Sequence, residues 1–275
     1  MKNILIAVIS VIAGFAIIAF GYSFYSDTNS SGIDSIAEKT DNTAANNPLE
    51  SIQGSFDLWD TYSKNNIDLM SSFHPLDENG KTIGKGMFLS LLRTGLFLPN
   101  SGLKNGKKSY RLVSLKKNAD EKVKKNIISL ANTANHYFRL EGKKLPDYNF
   151  VSLKGQAFNK KDTKGKLVVI KCWFITCKIC VEEFPELNKL VDKYKDKNVV
   201  FVSLAFDKKD KLEEFLKTKE FKYPTVPSQK EYMVKKLKLK QYPTHIIVDS
   251  NGVIMKMVSN VHTLASELDR IKGKF

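Results

Sequence analysis

Cysteine is scarce in this chain of 275 residues, with three in all, and the four histidines stand far apart. A tetrahedral zinc site or a plant-type iron–sulfur site needs four ligands. Cys172, Cys177 and Cys180 spell the C-x4-C-x2-C opening of such a cluster site, but a fourth thiolate is missing. His74, His136, His245 and His262 form no spaced group beside them, so no metal is expected. Arginine is also sparse. Only Arg93, Arg111, Arg139 and Arg270 occur, so the formal net charge of +15 comes almost wholly from lysine. The lysines are scattered, and no motif interleaves them with aromatics, which argues against a nucleic-acid partner. A solvated surface is the default reading of that charge, with attraction to anionic headgroups or acidic partners the alternative. Internal repeats are absent.

Charge is missing altogether between Asn3 and Ser26, where Ile4 to Phe20 is apolar apart from Ser10 and Gly14. Extended through Tyr22, a helix rising about 1.5 Å per residue covers roughly 28 Å, close to the hydrocarbon thickness of a bilayer. Residues 1–26 are therefore expected to be an N-terminal transmembrane anchor. The alternative is a cleaved signal peptide, for which Ala19-Phe20-Gly21 is a poor processing site. No cysteine lies nearby to carry a lipid. Lys2 precedes the segment, while Asp27, Asp34, Glu38 and Asp41 follow it, so the N-terminus is expected to stay cytoplasmic. The body is then exported into a compartment where disulfides persist.

Residues 27–48, rich in Ser, Asn, Thr, Asp and Ala, read as a flexible linker. Residues 49–140 read as a separate extension, mostly helical or α+β. Its apolar pattern resumes at Phe56, Leu58, Trp59 and Tyr62, the last two read as core. A turn is expected at Asp77-Glu78-Asn79-Gly80, a buried helix over Met87 to Leu98, and an amphipathic helix over Asp120 to Leu140. No chemistry is legible there. Residues 141–275 read as α/β: strands at Leu167 to Phe174, Val199 to Phe206 and His245 to Asp249, and a hairpin turn at Asn251-Gly252 into Val253 to Val258. Helices are expected over Lys208 to Thr218 and Thr263 to Ile271.

The chemistry lies in Cys177-Lys178-Ile179-Cys180, two thiols three positions apart where a strand hands over to a helix. That helix is marked by Val181, Phe184, Leu187, Leu190, Val191 and Tyr194, and Pro185 in its interior predicts a kink about two turns past the pair. Cys177 falls at the helix N-terminus and Cys180 one turn inside. Unpaired N–H groups and the dipole favour a thiolate at Cys177, which lowers its pKa below the roughly 8.5 of a free cysteine. Cys180 is then the resolving thiol. Cys172, the odd cysteine, reads mainly as a small apolar core residue.

Together with these thiols, several further motifs resemble the TlpA/ResA-type branch of the thioredoxin-like superfamily, membrane-tethered bacterial thiol-disulfide oxidoreductases. Leu145 to Phe150 looks like the family's opening strand, and Lys164-Gly165-Lys166 like its lead into the first core strand. Trp173, four residues before Cys177, matches the family tryptophan. Glu183-Phe184-Pro185 matches its Glu-Phe-Pro segment, and Tyr242-Pro243-Thr244 its cis-proline loop. Thr176, Lys178-Ile179 and Gln241 depart from the common pattern, which bears on substrate choice and potential. The resemblance implies a thioredoxin-like α/β fold, a central mixed sheet flanked by helices. It implies Cys177 as nucleophile, Cys180 as resolving thiol and Glu183 in proton transfer, provided burial raises the Glu183 pKa; otherwise Glu183 is a surface residue. Pro243 in cis would present backbone to substrate, with Trp173, Tyr242 and Thr244 in substrate contact.

No cofactor beyond the redox-active Cys177–Cys180 pair is implied. Expected partners are exported proteins carrying disulfides or thiols, such as apocytochrome c, together with a membrane electron donor and, through the anchor, membrane lipid. Reduction of those substrates is the expected direction. A disulfide-forming oxidant and a thioredoxin-like binding or chaperone module are the alternatives.

Overall fold

The computed structural model describes residues 48–274. The expected anchor at 1–26 and the linker at 27–48, apart from Pro48, lie outside them. No helix among the described residues is long and apolar enough to cross a membrane. From Pro48 on, the chain packs as one compact unit.

The first part runs α1 (Pro48–Gly54), α2 (Phe56–Asn66), β1 (His74–Leu76), α3 (Lys85–Leu92), β2 (Phe97–Lys104), β3 (Lys107–Ser114) and α4 (Glu121–Leu140). Its strands form a three-stranded sheet in the order β1-β3-β2, with β1 parallel and β2 antiparallel to β3. The β2–β3 hairpin turns at Asn105 and Gly106, both at positive φ, as a right-twisted two-residue hairpin requires. The 20-residue α4 starts where the Asp120 carboxylate accepts the Lys122 N–H at 2.6 Å, and it buries Val123, Ile127, Ala131, Ala134 and Tyr137 along one stripe. The extension is thus α+β. The helix expected over Met87 to Leu98 ends at Leu92. Gly95 adopts φ +71, and a Cβ there would meet Ile128 Cδ1 at 2.9 Å. Phe97 and Leu98 then enter β2 because β3 offers them a complete ladder.

The second part runs β4 (Asn149–Val151), β5 (Ala157–Asn159), β6 (Leu167–Trp173), α5 (Lys178–Glu182), α6 (Phe184–Tyr194), β7 (Val199–Ala205), α7 (Lys209–Leu216), β8 (Thr225–Val226), a π-helical turn at Tyr232–Lys236, β9 (Thr244–Val248), β10 (Ile254–Val258) and α8 (Val261–Ile271). Only Asn149 and Phe150 of the expected opening strand are in β4. A five-stranded sheet has the order β10-β9-β6-β7-β8, with β6, β7 and β8 parallel and β9 antiparallel to both its neighbours. This is the helix-flanked mixed sheet of a thioredoxin-like fold.

Every residue of β6 is buried, so the strand serves two cores. Leu167, Val169 and Trp173 point into a core shared with Cys180, Phe184, Leu187, Leu264 and Leu268. Val168, Ile170 and Cys172 point the other way, into a core shared with Trp59, Phe88, Leu98, Ile127 and Tyr137 of the extension. Burying each such aliphatic side chain contributes about 1.5–3 kcal/mol. The extension therefore covers one face of the sheet while α5, α6 and α8 cover the other.

Candidate active site at the Cys177–Cys180 pair

The parallel strand β6 ends at Trp173, and a short loop carries the chain to α5. Asp207 Oδ2 accepts the Ile175 N–H at 2.8 Å, and Phe174 O accepts the Cys177 N–H at 3.0 Å, which pins the loop on both sides. Cys177 caps α5 with extended backbone, and its carbonyl accepts the first helical bond, from Val181 N–H at 3.2 Å. The amides of the first turn ahead of Val181 have no helical acceptor, which leaves positive N–H dipoles around the Cys177 sulfur. Cys177 and Cys180 are joined as a disulfide, their Cα atoms 5.2 Å apart. Their exposures differ: Cys177 is partly exposed, while Cys180 is fully buried.

The helix after the pair breaks earlier than expected. Pro185 does not kink a continuous helix; it lies in the first turn of α6, and the break falls at Glu183 between α5 and α6. A proline in a first turn loses nothing, because the N–H it lacks would have no partner there.

Glu183, at that break, is turned inward and nearly buried. Its Oε2 accepts from Lys171 Nζ at 2.7 Å and lies 3.0 Å from His245 Nε2, and its Oε1 accepts the Val261 N–H of α8 at 2.8 Å. Lys171 and His245 face each other across β6 and β9 and are both fully buried. Burial alone would raise the Glu183 pKa, but the His245 hydrogen bond and the Lys171 ammonium outweigh it and hold the carboxyl at about 2. Burial lowers the pKa of Lys171, against the pull of Glu183, and it lowers His245 with help from the Lys171 charge. A neutral His245 donating from Nε2 to the carboxylate leaves Nδ1 bare, and that nitrogen has no partner. The expectation that burial raises the Glu183 pKa is therefore reversed. Glu183 is a fixed buried anion and neither a surface residue nor a base of useful strength. Lys171 and His245 were not singled out from sequence. A lysine inside an otherwise apolar buried strand was the available signal, since such a charge must find a partner.

The Tyr242–Pro243 peptide is cis. It opens β9, where Thr244 pairs with Cys172 near the end of β6. The Tyr242 ring packs edge-on against Phe174 and Phe206, with centroids 5.5 and 5.0 Å away, so the cis-proline loop borders the segment leading to Cys177. Two of the expected substrate contacts are corrected by burial. Trp173 is fully enclosed by Phe184, Phe215 and Phe221, its indole N–H donating to Ser203. Thr244 is equally buried, its hydroxyl donating to Gln241 O at 2.8 Å. Both support the site from behind. Tyr242 keeps a partly exposed ring, although its hydroxyl is buried. Lys178 projects into solvent and pairs loosely with Glu182 at 3.7 Å. Cys172 is a free thiol on the opposite sheet face, where burial pushes its pKa far up.

A dithiol at a strand-to-helix turn, with one sulfur open and one buried, beside a cis-proline loop on a mixed sheet, defines a thioredoxin-like thiol-disulfide oxidoreductase. Comparison with known proteins narrows that class. The profile of the AhpC/TSA family matches residues 142–257. The chain is 30% identical over 123 residues to the thiol-disulfide oxidoreductase ResA of Bacillus thuringiensis subsp. konkukian, covering 44% of this chain and 71% of that protein. It is 34% identical over 122 residues to the thioredoxin-like protein YneN of Bacillus subtilis, covering 42% of this chain and 68% of that one. Among solved structures, the thioredoxin domain of a thiol-disulfide oxidoreductase from Bacteroides vulgatus aligns with 22% identity and a TM-score of 0.44, over 48% of this chain and 96% of that one. The chain belongs to the ResA family of thiol-disulfide oxidoreductases.

Proposed function

We propose that the protein is a membrane-tethered reductase of exported protein disulfides, of the kind that keeps the thiols of apocytochrome c available, with its body on the extracytoplasmic side. The observation that carries this reading is the unequal exposure of the two sulfurs. Cys177 is the one a macromolecule can reach, and Cys180 is sheltered until a mixed disulfide forms.

In the reduced protein the Cys177 thiolate attacks one sulfur of a substrate disulfide. A Cys177–substrate bond forms, and the other substrate sulfur leaves as a thiolate. Cys180 then attacks Cys177 Sγ; the mixed disulfide breaks, the intramolecular disulfide forms, and the Cys180 proton ends on the departing substrate thiol. A membrane donor returns two electrons, and one proton restores the Cys180 thiol beside the Cys177 thiolate. The partly exposed Gln241-Tyr242 side of the cis-proline loop presents backbone to the substrate strand during the encounter, while Pro243 itself is buried and has no N–H of its own to compete. Glu183 keeps its charge throughout and holds together the buried junction of β6, β9, α6 and α8. The apolar run at residues 1–26 supports the tether, and the family's named activity supports the chemistry.

Equilibration with glutathione tests the direction. A reductase has a potential below about −250 mV, near that of thioredoxin, whereas a value near about −120 mV belongs to a strong oxidant and would replace this reading with disulfide formation.

A further inference from the structure

The extension meets the redox site through one phenol. Tyr137 lies near the end of α4 and is 1% exposed. Its hydroxyl oxygen accepts the Lys240 N–H at 3.1 Å and the Gln241 N–H at 3.4 Å, and it lies 3.1 Å from Thr244 Oγ1. Thr244 spends its own proton on Gln241 O. The Tyr137 hydrogen therefore goes to Thr244, and its two lone pairs take the two amides, which uses every hydrogen-bonding position of the group. Those contacts bracket the cis Tyr242–Pro243 peptide, with residues 240 and 241 before it and 244 after it. Among the described residues, neither amide has a backbone acceptor.

A second contact follows the same line. Gln241 Nε2 donates to Met70 Sδ of the extension at 3.6 Å. The segment around Met70 is fixed to α8, where Thr263 Oγ1 donates to Asp68 at 2.6 Å and the Ser72 N–H donates to Glu267 at 3.0 Å. The loop beside the disulfide is thus held from behind by residues the thioredoxin-like part does not contain.

We propose that residues 48–140 brace the cis-proline loop for polypeptide substrates, with Tyr137 as the positioning residue. The proposal rests on the reading above, in which that loop presents backbone to substrate. A small disulfide reacts at Cys177 without using the loop, so the two substrate classes should separate.

The test is Tyr137→Phe in the full chain, cycled by dithiothreitol, with insulin as the polypeptide disulfide and glutathione disulfide as the small one. Losing these three hydrogen bonds to the loop should raise KM for insulin by about threefold to tenfold with kcat little changed. Glutathione disulfide turnover and the reduction potential should stay as in the parent protein. An unchanged KM for insulin, or an equal loss with both substrates, would overturn the proposal. Should Tyr137→Phe not accumulate in folded form, Met70→Leu removes the acceptor that the extension offers to Gln241 Nε2 and reads the same contrast. Pro243→Ala separates the two levels. If that variant leaves KM for insulin alone, the loop reading itself fails, whereas an effect there with none in Tyr137→Phe sinks the brace only.

Discussion

Lys171, Glu183 and His245 show how one buried charge dictates its neighbours. An ammonium with no exposure on a central strand is stable only beside an anion, and Glu183 turns inward at the α5–α6 break to supply it. Removing one partner should leave the other buried and uncompensated. Glu183→Leu is expected to destabilise the fold by about 3–5 kcal/mol in urea unfolding, while Lys171→Met combined with Glu183→Leu should recover most of that loss. Acidification acts on the same cluster. Glu183 titrates at about 2 when folded, below its ordinary 4.5, so its stabilisation is present above about pH 4.5 and fades as pH falls toward 2. His245 is also held below its ordinary 6.5, so it too contributes stability above that value and loses it as pH falls. The groups that face this pair are Lys171 from β6, the Val261 N–H from α8 and the buried Tyr223 hydroxyl, whose pKa burial and the Glu183 charge both raise. A flat urea midpoint between pH 7 and 3 would contradict this account. At this scale the sequence was only partly legible. The two thiols declare themselves by spacing, but the partners of Lys171 come from β9 and from the break between α5 and α6, and no local pattern announces them.

Among the elements, β6, α4 and the β9–β10 hairpin were readable because each follows from local rules: an apolar run, a 3.6-residue stripe with an Asp cap, and an Asn-Gly turn. Two helices were not. Apolar spacing runs unbroken from Val181 to Tyr194, yet the helix divides at Glu183, because Pro185 favours a first turn and Glu183 is drawn to Lys171. Phe97 and Leu98 continue the apolar stretch of α3 but pair with residues 113 and 114, a long-range choice that periodicity cannot see. The element that matters for chemistry is α5, only five residues long. Its influence on Cys177 is confined to its first-turn amides, so a neighbouring side-chain charge should be felt. Lys178→Glu is expected to raise the Cys177 pKa and to make the potential more negative by about 10–30 mV. Rates of iodoacetamide alkylation across pH check the first, and a profile that does not move would contradict it.

On the scale of the whole molecule, the extension and the sheet share one core, and charges line their seam. Lys85 of α3 donates to Ser71 O at 2.8 Å and lies over the Phe73 ring. Burial, and then the positive charge of Lys256, lower its pKa to about 7, against the pull of Glu141 and Asp68. Between that value and the ordinary 10.5 the unfolded chain holds a proton the folded chain has released, so stability should rise with pH across this window. Lys85→Met should flatten the rise by up to about 1.4 kcal/mol per pH unit, measured by urea unfolding at pH 7, 8 and 9. A variant with the parent's slope would show that Lys85 is charged in the folded protein.

The central claim is that Cys177 attacks partners and Cys180 releases them. Trapping in cells tests it most directly. Cys180→Ser should accumulate mixed disulfides with exported proteins, all lost on adding dithiothreitol and absent when Cys177→Ser is combined with it. Cys177→Ser alone should trap little. Adducts that form equally through Cys180, or none with either variant, would contradict the account.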